Sequence, residues 1–282
     1  MTARNHVPGA PGQVKEVTSL ANPVVKDIRA LAQKKYRDQA GVFMAEGLKL
    51  VIEALDLGWT IQTLVIAKSS RDNPAIGKVA ARSVAAGALV LEASEKVLTA
   101  ITRRDNAQSV VGVFEQRYSP LGSISPQAGE LWVALDRVRD PGNLGTIVRT
   151  ADAAGAAGVI LVGETTDPYS LEAVRASMGS VFAVPLARSG PEAFLTWRRG
   201  VGGIVVGTHL KGAVDYRTID YAPGPVVLLM GNEQQGLPDD LAAACDVLAL
   251  IPQAGRADSL NLSVATGIML FEIRRNALSV GG

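Results

Sequence analysis

Long apolar runs recur through the second half of the chain, separated by stretches in which the apolar positions follow a helical period. Such nearly continuous runs are typical of parallel strands covered by helices on both faces. The runs are LWVALD (131–136), GVILV (158–162), GIVVGT (203–208), PVVLLM (225–230) and DVLALI (246–251). The pattern also predicts a long closing helix from Ser259 to about Leu278, with Ser259 as its N-cap. We therefore expect a parallel-sheet α/β domain over residues 130–282.

The first half of the chain alternates in the same way, with shorter elements. Helical spacing predicts one helix in VVKDIRALAQKKY (24–36) and another over about Gly47–Leu57. Apolar runs predict strands at Val42–Met44, Thr63–Ala67 and Val110–Gln116. The pattern indicates a smaller α/β domain over residues 15–117.

Two segments lack any periodicity. Residues 1–14 are polar and rich in Gly and Pro, which predicts a disordered tail. Residues 118–129 combine two prolines with several serines and glycines, which predicts a linker between the two domains.

Charge divides unevenly along the chain, although the net charge is only +1. Residues 1–118 have a balance of +5 and residues 119–282 a balance of −4. A basic half slightly favours contact with a nucleic acid, although an excess of this size also arises by chance. The first predicted helix would present one cationic surface made of Lys26, Arg29, Lys34, Lys35 and Arg37.

Composition excludes several classes of protein. The single cysteine, Cys245, excludes a disulfide framework and a cysteine-based zinc cluster, and only His6 and His209 could serve as imidazole ligands, so we expect no metal. No apolar run reaches the roughly 18 residues of a membrane span, and the N-terminus lacks a signal peptide's apolar region, so we expect a cytoplasmic protein. Glycine-rich dinucleotide and phosphate loops, the G-x-S-x-G elbow and H-E-x-x-H are all missing from the sequence.

Three polar, glycine-containing loops each follow a predicted strand and lead into a predicted helix. They are DPGNLGTIVR (140–149), MGNEQQGLP (230–238) and IPQAGRADSLNLS (251–263). Because the carboxyl ends of parallel strands meet at one edge of a sheet, the three loops could converge on a single cleft. Taken alone, the first loop is better explained as an ordinary capped turn with a surface arginine, and the second is equally well explained as an exposed loop.

In this order and spacing, the loops resemble the three signature motifs of the SpoU/TrmH-type RNA 2′-O-ribose methyltransferases of the SPOUT superfamily. The matching residues are Asn143, Gly145 and Arg149, then Gly231, Asn232, Glu233, Gly236 and Leu237, then Ile251, Pro252, Gly255, Ser259, Leu260, Asn261, Ser263 and Ala265. Leu262 stands where a valine is usual. The resemblance covers about residues 131–278. The segments SLANP, KKYR and Phe43 to Gly47 resemble, less specifically, the family's N-terminal substrate-binding module.

The resemblance implies an α/β trefoil knot, S-adenosylmethionine as the methyl donor, and a homodimer formed through the knot domain. Such a knot cannot be predicted from periodicity, because ordinary chain topology avoids threading. The cofactor-binding residues that the resemblance implies are Thr208, Met230, Gly231, Gly236, Ile251, Pro252 and Leu260. His209 follows Thr208 and is either close to the cofactor or an ordinary loop histidine.

The resemblance also implies the catalytic roles. Arg149 would activate the ribose hydroxyl and Asn143 would orient it, while Glu233, Asn261 and Ser263 would shape the site. A guanidinium is a poor proton acceptor because it stays charged in proteins. Arg149 could instead grip the ribose or a phosphate while another group or a water takes the proton. Both interpretations stay open.

The implied substrate is RNA. Family members with an N-terminal module tend to modify large-subunit rRNA, so the resemblance indicates rRNA, and 23S rRNA in particular. The alternatives are methylation of tRNA, a non-catalytic RNA-binding or ribosome-assembly factor, and a nucleotide-dependent oxidoreductase. The missing glycine fingerprint argues against the oxidoreductase, and the intact polar residues of the three loops argue against the non-catalytic factor.

Overall fold

The computed structural model describes residues 11–209, 214–222, 224–256 and 258–279. The chain forms two compact units. The first contains Met1–Gln116 together with Tyr169–Arg175, and the second contains Arg117–Pro168 and Ala176–Gly282. The sequence pattern places the division between the domains close to this point but assigns residues 169–175 to the second domain.

The first unit is built on a five-stranded mixed sheet. Its elements are β1 (Val14–Val17), α1 (Pro23–Ala30), α2 (Lys34–Ala40), β2 (Val42–Glu46), α3 (Leu48–Asp56), β3 (Ile61–Ala67), α4 (Pro74–Ala85), β4 (Leu89–Ala93), α5 (Glu95–Thr102) and β5 (Val110–Glu115). The strand order is β1-β4-β3-β5-β2, with β5 antiparallel to both of its neighbours. Apolar residues of α1 and α5 pack on one face of this sheet and form a buried core.

The segment Tyr169–Arg175 completes this first unit. Tyr169 is fully buried, with its ring centroid 4.4 Å from that of Phe43 and 6.5 Å from that of Trp59. An Nη2 atom of Arg175 lies 2.6 Å from Oε1 of Glu46, whose side chain is only 5% exposed. The aromatic cluster and the ion pair explain why residues so distant in sequence belong to this unit.

The single helix predicted over residues 24–36 is wrong, because the chain turns between α1 and α2. Gln33 has an extended backbone, and the Nη1 of Arg37 donates to the Leu31 carbonyl at 2.7 Å. Arg37 is therefore buried, with 3% exposure, and does not belong to the predicted cationic surface. The buried Arg37 guanidinium stabilises the turn because it donates to the Leu31 carbonyl, which has no hydrogen-bond partner within α1.

Two predictions about aperiodic segments also need correction. The prediction of a disordered tail over residues 1–14 is wrong at its C-terminal end. The Gly12 backbone N–H donates to the Val84 carbonyl at 2.8 Å, and β1 begins at Val14. Residues 1–10 lie outside the described part of the chain. The prediction that residues 118–129 form a linker is also corrected, because this segment packs into the second unit. Ile124 is buried in its core and accepts a hydrogen bond from the indole of Trp197 at 2.8 Å.

The second unit contains a seven-stranded sheet in which every neighbouring pair is parallel. Its elements are β6 (Leu131–Asp136), α6 (Pro141–Ala153), β7 (Gly158–Val162), α7 (Leu171–Ser177, which begins in the first unit), α8 (Ser180–Ala183), β8 (Leu186–Ser189), α9 (Pro191–Arg198), β9 (Ile204–Thr208), β10 (Val214–Asp215), β11 (Val226–Met230), α10 (Asp239–Ala243), β12 (Val247–Leu250) and α11 (Leu262–Ile273). The strand order is β10-β12-β9-β11-β6-β7-β8.

The five strands predicted for this unit are confirmed, and β6 and β7 have the predicted bounds. The apolar pattern does not predict the strands β8 and β10, because they are short and contain few apolar residues. The closing helix α11 is shorter than predicted at both ends. Its N-cap is Asn261 rather than Ser259, and Asn261 Oδ1 accepts hydrogen bonds from two backbone N–H groups.

No helix within the described ranges is both long enough and apolar enough to cross a membrane.

Candidate functional site

The site lies where the central strands of the second unit end. Met230 at the end of β11 pairs with Leu135 of β6, and Leu229 pairs with Gly207 of β9. Thr208, the last residue of β9, pairs with Ala249 of β12. The three polar loops therefore leave the sheet at one edge, as their positions after parallel strands predict.

Four of the five predicted catalytic residues form one connected polar network. The Nδ2 of Asn261 donates to Oδ1 of Asn143 at 3.0 Å. The Nδ2 of Asn143 in turn lies 3.5 Å from Oε1 of Glu233, at the long limit of a hydrogen bond. Ser263 joins the network through its hydroxyl, which donates to Asn261 Oδ1 at 2.7 Å. The network brings together residues from all three loops.

The beginning of α6 fixes Asn143 in this network. Asp140 is the N-cap, and its side chain accepts a hydrogen bond from the Asn143 backbone N–H at 2.6 Å. Pro141 occupies the first turn, where the missing N–H costs nothing. The predicted helix after the first loop thus begins at Pro141, and its cap leaves the Asn143 side chain available to its neighbours.

The loop that carries Glu233 is held by Asn232. The Asn232 Oδ1 accepts from the backbone N–H groups of Gln234 and Gln235 at 2.9 and 3.2 Å. Asn232 and Gly236 also exchange both backbone hydrogen bonds, which closes a tight turn. Gly236 has a φ of +68°, and a Cβ on Gly231 would overlap the Gly236 carbonyl. The two glycines are therefore required by the shape of the loop itself.

The predicted cofactor-binding residues lie along the same edge of the sheet. Thr208 Oγ1 is 3.5 Å from the sulfur of Met230, and Ile251 directly follows β12. Ile251 and Leu260 are both partly exposed. A hydroxyl, a thioether, aliphatic side chains and irregular loop backbone suit a nucleoside better than a metal ion. Among the residues that the structure describes, no group of three or more His, Cys, Asp or Glu side chains could hold a metal.

Arg149 stands apart from the network. It is exposed, and the described hydrogen bonds and ion pairs of α6 include none between it and the four connected residues. Six residues of helix separate it from Asn143, which places it about 120° around the helix axis and roughly 9 Å along it. The structure therefore does not bring Arg149 together with the other predicted catalytic residues.

Two further residues at this edge were missed by the sequence analysis. Asp136 is buried, with 1% exposure, at the end of β6, and the neighbouring Arg137 binds its carboxylate with Nε and Nη2. The adjacent opposite charges after an apolar strand were visible in the sequence. Their pairing was not, because successive side chains of a regular strand point to opposite faces, whereas Arg137 has a left-handed backbone.

Cys245 does not belong to the chemistry of the site. Burial raises the pKa of its thiol to about 12, and the Sγ atom donates to the Leu241 carbonyl at 3.3 Å. The side chain therefore stays a neutral thiol near pH 7 and packs against the core of the second unit.

Comparison with known proteins identifies the class that this fold and site define. Residues 130–271 match the SpoU rRNA Methylase family, and residues 22–112 match the MRM3-like substrate binding domain. The chain belongs to the SpoU rRNA methylase family, and its second unit has the α/β knot fold of that family.

Particular relatives cover nearly the whole chain. It is 34% identical to a 23S rRNA (uridine(2479)-2′-O)-methyltransferase of Streptomyces viridochromogenes, over 88% of each chain. It is 30% identical to the 23S rRNA (guanosine(2553)-2′-O)-methyltransferase RlmP of Bacillus subtilis, over 93% of this chain and 100% of that one. An AdoMet-bound rRNA methyltransferase from Sinorhizobium meliloti is 70% identical, with a TM-score of 0.91 over 95% of this chain and 100% of that one.

Proposed function

We propose that this protein transfers a methyl group from S-adenosylmethionine to a ribose 2′-hydroxyl of 23S rRNA. The observation that carries the proposal is the network of Asn143, Glu233, Asn261 and Ser263, which unites the three loops at one edge of the sheet. The two curated relatives, named as 23S rRNA 2′-O-methyltransferases, support the substrate and the position of the methyl group. Because ribosomal RNA is the proposed substrate, we place the protein in the cytoplasm.

S-Adenosylmethionine is the cofactor that fits this edge of the sheet. The 70% identical relative with bound AdoMet supports this assignment. When bound, the cofactor supplies an electrophilic methyl group on a sulfonium. Thr208, Met230, Ile251 and Leu260 would hold it with their side chains and backbone. The backbone of Gly231, Gly236 and Pro252 would complete the binding site.

The polar network would prepare the attacking hydroxyl. Asn261 fixes the amide of Asn143, and Asn143 in turn donates toward Glu233, so the three side chains have one defined arrangement. A carboxylate such as Glu233 only accepts hydrogen bonds when ionised, so it can orient a hydroxyl that is losing its proton. Positioning and proton transfer of this kind typically contribute about 10²- to 10⁴-fold in rate.

Arg149 would bind the RNA rather than remove the proton. Its guanidinium has only hydrogen-bond donors, it is exposed, and it lies away from the network. These features suit a fork that grips the ribose or a neighbouring phosphate. An Arg149→Lys variant keeps the positive charge and loses the planar fork, so methyl transfer by this variant close to the wild-type rate would count against an obligatory guanidinium, whether as proton acceptor or as fork.

A methyl-transfer assay tests the proposed function. Tritiated S-adenosylmethionine is incubated with total rRNA or tRNA and with the wild type or Asn143→Ala. We expect label in 23S rRNA that depends on Asn143, and an alkali-resistant linkage beside the methylated ribose. Label in tRNA would keep the chemistry and change the substrate. Cofactor binding without label in naked RNA or ribosomal particles would overturn the proposal in favour of a non-catalytic RNA-binding protein.

The first unit would supply phosphate contacts. Lys26, Arg29, Lys34 and Lys35 are all exposed on α1 and α2, whereas the buried Arg37 is not available to RNA. Lys34 is partly neutralised by Asp38, whose carboxylate lies 2.6 Å from its Nζ. Lys26, Arg29 and Lys35 therefore make up the proposed RNA-binding surface. Phosphate contacts of this kind position RNA without reading its sequence.

Replacing Lys26, Arg29 and Lys35 with glutamine should weaken RNA binding and reduce its salt dependence. Each lost phosphate contact lowers the slope of log K against log salt by about 0.7 to 0.9, so the triple variant should lose about two. Filter binding over a range of salt concentrations measures the slope, and calorimetry should find cofactor affinity unchanged. The matched control replaces Lys15, Arg71 and Lys78, three exposed cations elsewhere in the unit. Equal slopes for the two variants would contradict the assignment.

The knot domain also offers a face for a second copy of the chain. Val264 and Phe271 of α11 are 50% and 48% exposed, and the partly exposed Ile268 lies between them at helical spacing. The opposite side of α11 is buried against its own unit through Leu262, Met269 and Leu270. An apolar face left in water on an otherwise buried helix favours association, and we propose that it forms the homodimer.

A Phe271→Glu variant should therefore be monomeric, because a charge at the centre of an apolar interface is costly to bury. Light scattering after size exclusion gives the mass. Leu57→Glu is the matched control, since Leu57 is a 47% exposed apolar residue of the first unit. A wild type with the mass of one chain, or a Phe271→Glu variant that stays dimeric, would argue against this face.

A further inference from the structure

Arg137 has a backbone conformation that its side chain makes unfavourable. Its φ is +47°, in the left-handed region that favours glycine and is uncommon for long side chains. The residue follows directly on β6, and its backbone N–H donates to the Val162 carbonyl at 2.9 Å. Strained backbone of this kind persists where surrounding contacts over-determine it, and it is concentrated at functional sites.

The Arg137 guanidinium binds two partners at once. Its Nε and Nη2 both lie 2.9 Å from Oδ2 of the buried Asp136, and its Nη1 donates to Oε1 of Gln235 at 2.9 Å. Hydrogen bonding to Asp136 is the main cause of a raised pKa for Arg137, so the cation is permanent. Gly163 leaves room for this side chain, because a Cβ there would lie 3.1 Å from Cγ of Arg137.

The backbone of Arg137 makes a further contact with the same loop. Its carbonyl accepts a hydrogen bond from Nδ2 of Asn232 at 2.8 Å. Arg137 therefore holds the loop at Asn232 with its backbone and at Gln235 with its side chain. Glu233 lies between those two points and is the residue through which the loop reaches Asn143.

We infer that Arg137 is a positioning residue that holds the Asn232–Gly236 loop so that Glu233 faces Asn143. Its carbonyl binds Asn232 and its guanidinium binds Gln235, so the two contacts flank Glu233 in the loop, and the guanidinium is held by Asp136. The expected effect on kcat rests on the proposed function. The contacts between Arg137 and the loop do not, because they are present without substrate.

Two variants test the arrangement at different points. Gln235→Ala removes one contact and leaves the Arg137–Asp136 pair intact, so it should fold normally. Arg137→Lys keeps the charge beside Asp136 and loses the fork. Both should lower kcat by about 10- to 100-fold, as small displacements of a catalytic group do, while KM for RNA stays within about twofold. The double variant should be no slower than Arg137→Lys, because the two residues share one contact.

Arg139→Gln is the matched control, because it removes an exposed cation two residues further along and leaves both contacts between Arg137 and the loop in place. Amide hydrogen exchange of residues 231–237 supplies a readout that needs no catalysis. Exchange should accelerate in Gln235→Ala and Arg137→Lys but not in Arg139→Gln. If the wild type methylates no RNA, the proposed function fails while exchange still tests the loop contacts. Unchanged exchange, or a kcat within twofold of the wild type in both variants, would overturn the inference.

Discussion

An Asn261→Asp variant is expected to fold as stably as the wild type and to lose methyl transfer by about 100-fold. An aspartate keeps the oxygen that accepts from the Ser263 and Val264 N–H groups, so the N-cap of α11 survives. It loses the Nδ2 donor that fixes Asn143 at 3.0 Å. It also places a negative charge beside the Asn143 amide, whose oxygen then has no donor facing it. The network is thus broken without any change to the helix.

Single-turnover methyl transfer and thermal unfolding, measured on the same preparation, separate the two effects. Ser263→Ala serves as the comparison, because it removes only the hydroxyl at the end of the network and should cost much less in rate. Asn261→Ala should lose both the rate and about 1 kcal/mol of stability, the usual cost of a missing N-cap. Methyl transfer by Asn261→Asp at a rate near that of the wild type would show that the contact between Asn143 and Asn261 is dispensable.

Replacing Arg175 with methionine is expected to destabilise the first unit by about 3 kcal/mol, at the lower end of the range for breaking a buried ion pair, because Glu46 is buried but the Arg175 side chain is itself 30% exposed. The loss leaves the Glu46 carboxylate, 5% exposed, without its 2.6 Å partner. It also removes the donor to the Thr102 carbonyl. Arg104, 3.7 Å from the other carboxylate oxygen, compensates in part, which also favours the lower end.

Urea titration followed by amide exchange of first-unit peptides measures this loss without a contribution from the second unit. Arg82→Met is the matched control. Arg82 lies 2.7 Å from Asp56, but both side chains are about half exposed, so this change should cost less than about 1 kcal/mol. The double variant Glu46→Leu/Arg175→Met should recover most of the stability, because no charge is then buried alone. Equal losses in Arg175→Met and Arg82→Met would rule out a special role for the buried pair.

The sheet of the second unit was the most predictable part of the fold. A strand buried on both faces, such as β6 or β7, leaves a short continuous apolar run bounded by polar and glycine-containing turns, and its length favours a strand over a helix. Its carboxyl end then locates the loop that carries polar residues. The edge of the sheet that holds the site followed from this alternation, whereas the chemistry of the site came only from the resemblance of the loops to a family.

The side-chain contacts between residues distant in sequence could not be predicted from the periodicity of apolar positions. Asn143 and Asn261 are separated by 118 positions, so only the folded chain shows that their amides meet. Arg37 illustrates the same limit, because its spacing suits an exposed helical face while its guanidinium turns inward to the Leu31 carbonyl. Ser259 and Asn261 are both good N-caps, and the start of α11 decides between them.

The discontinuity of the first unit has a consequence for protein synthesis. When residue 116 leaves the ribosome, Phe43 and Trp59 still lack the ring of Tyr169, and Glu46 still lacks Arg175. More than fifty residues of the second unit must be translated before the segment Tyr169–Arg175 exists. The N-terminal unit therefore cannot complete its aromatic cluster or its buried ion pair until part of the second unit has been synthesised.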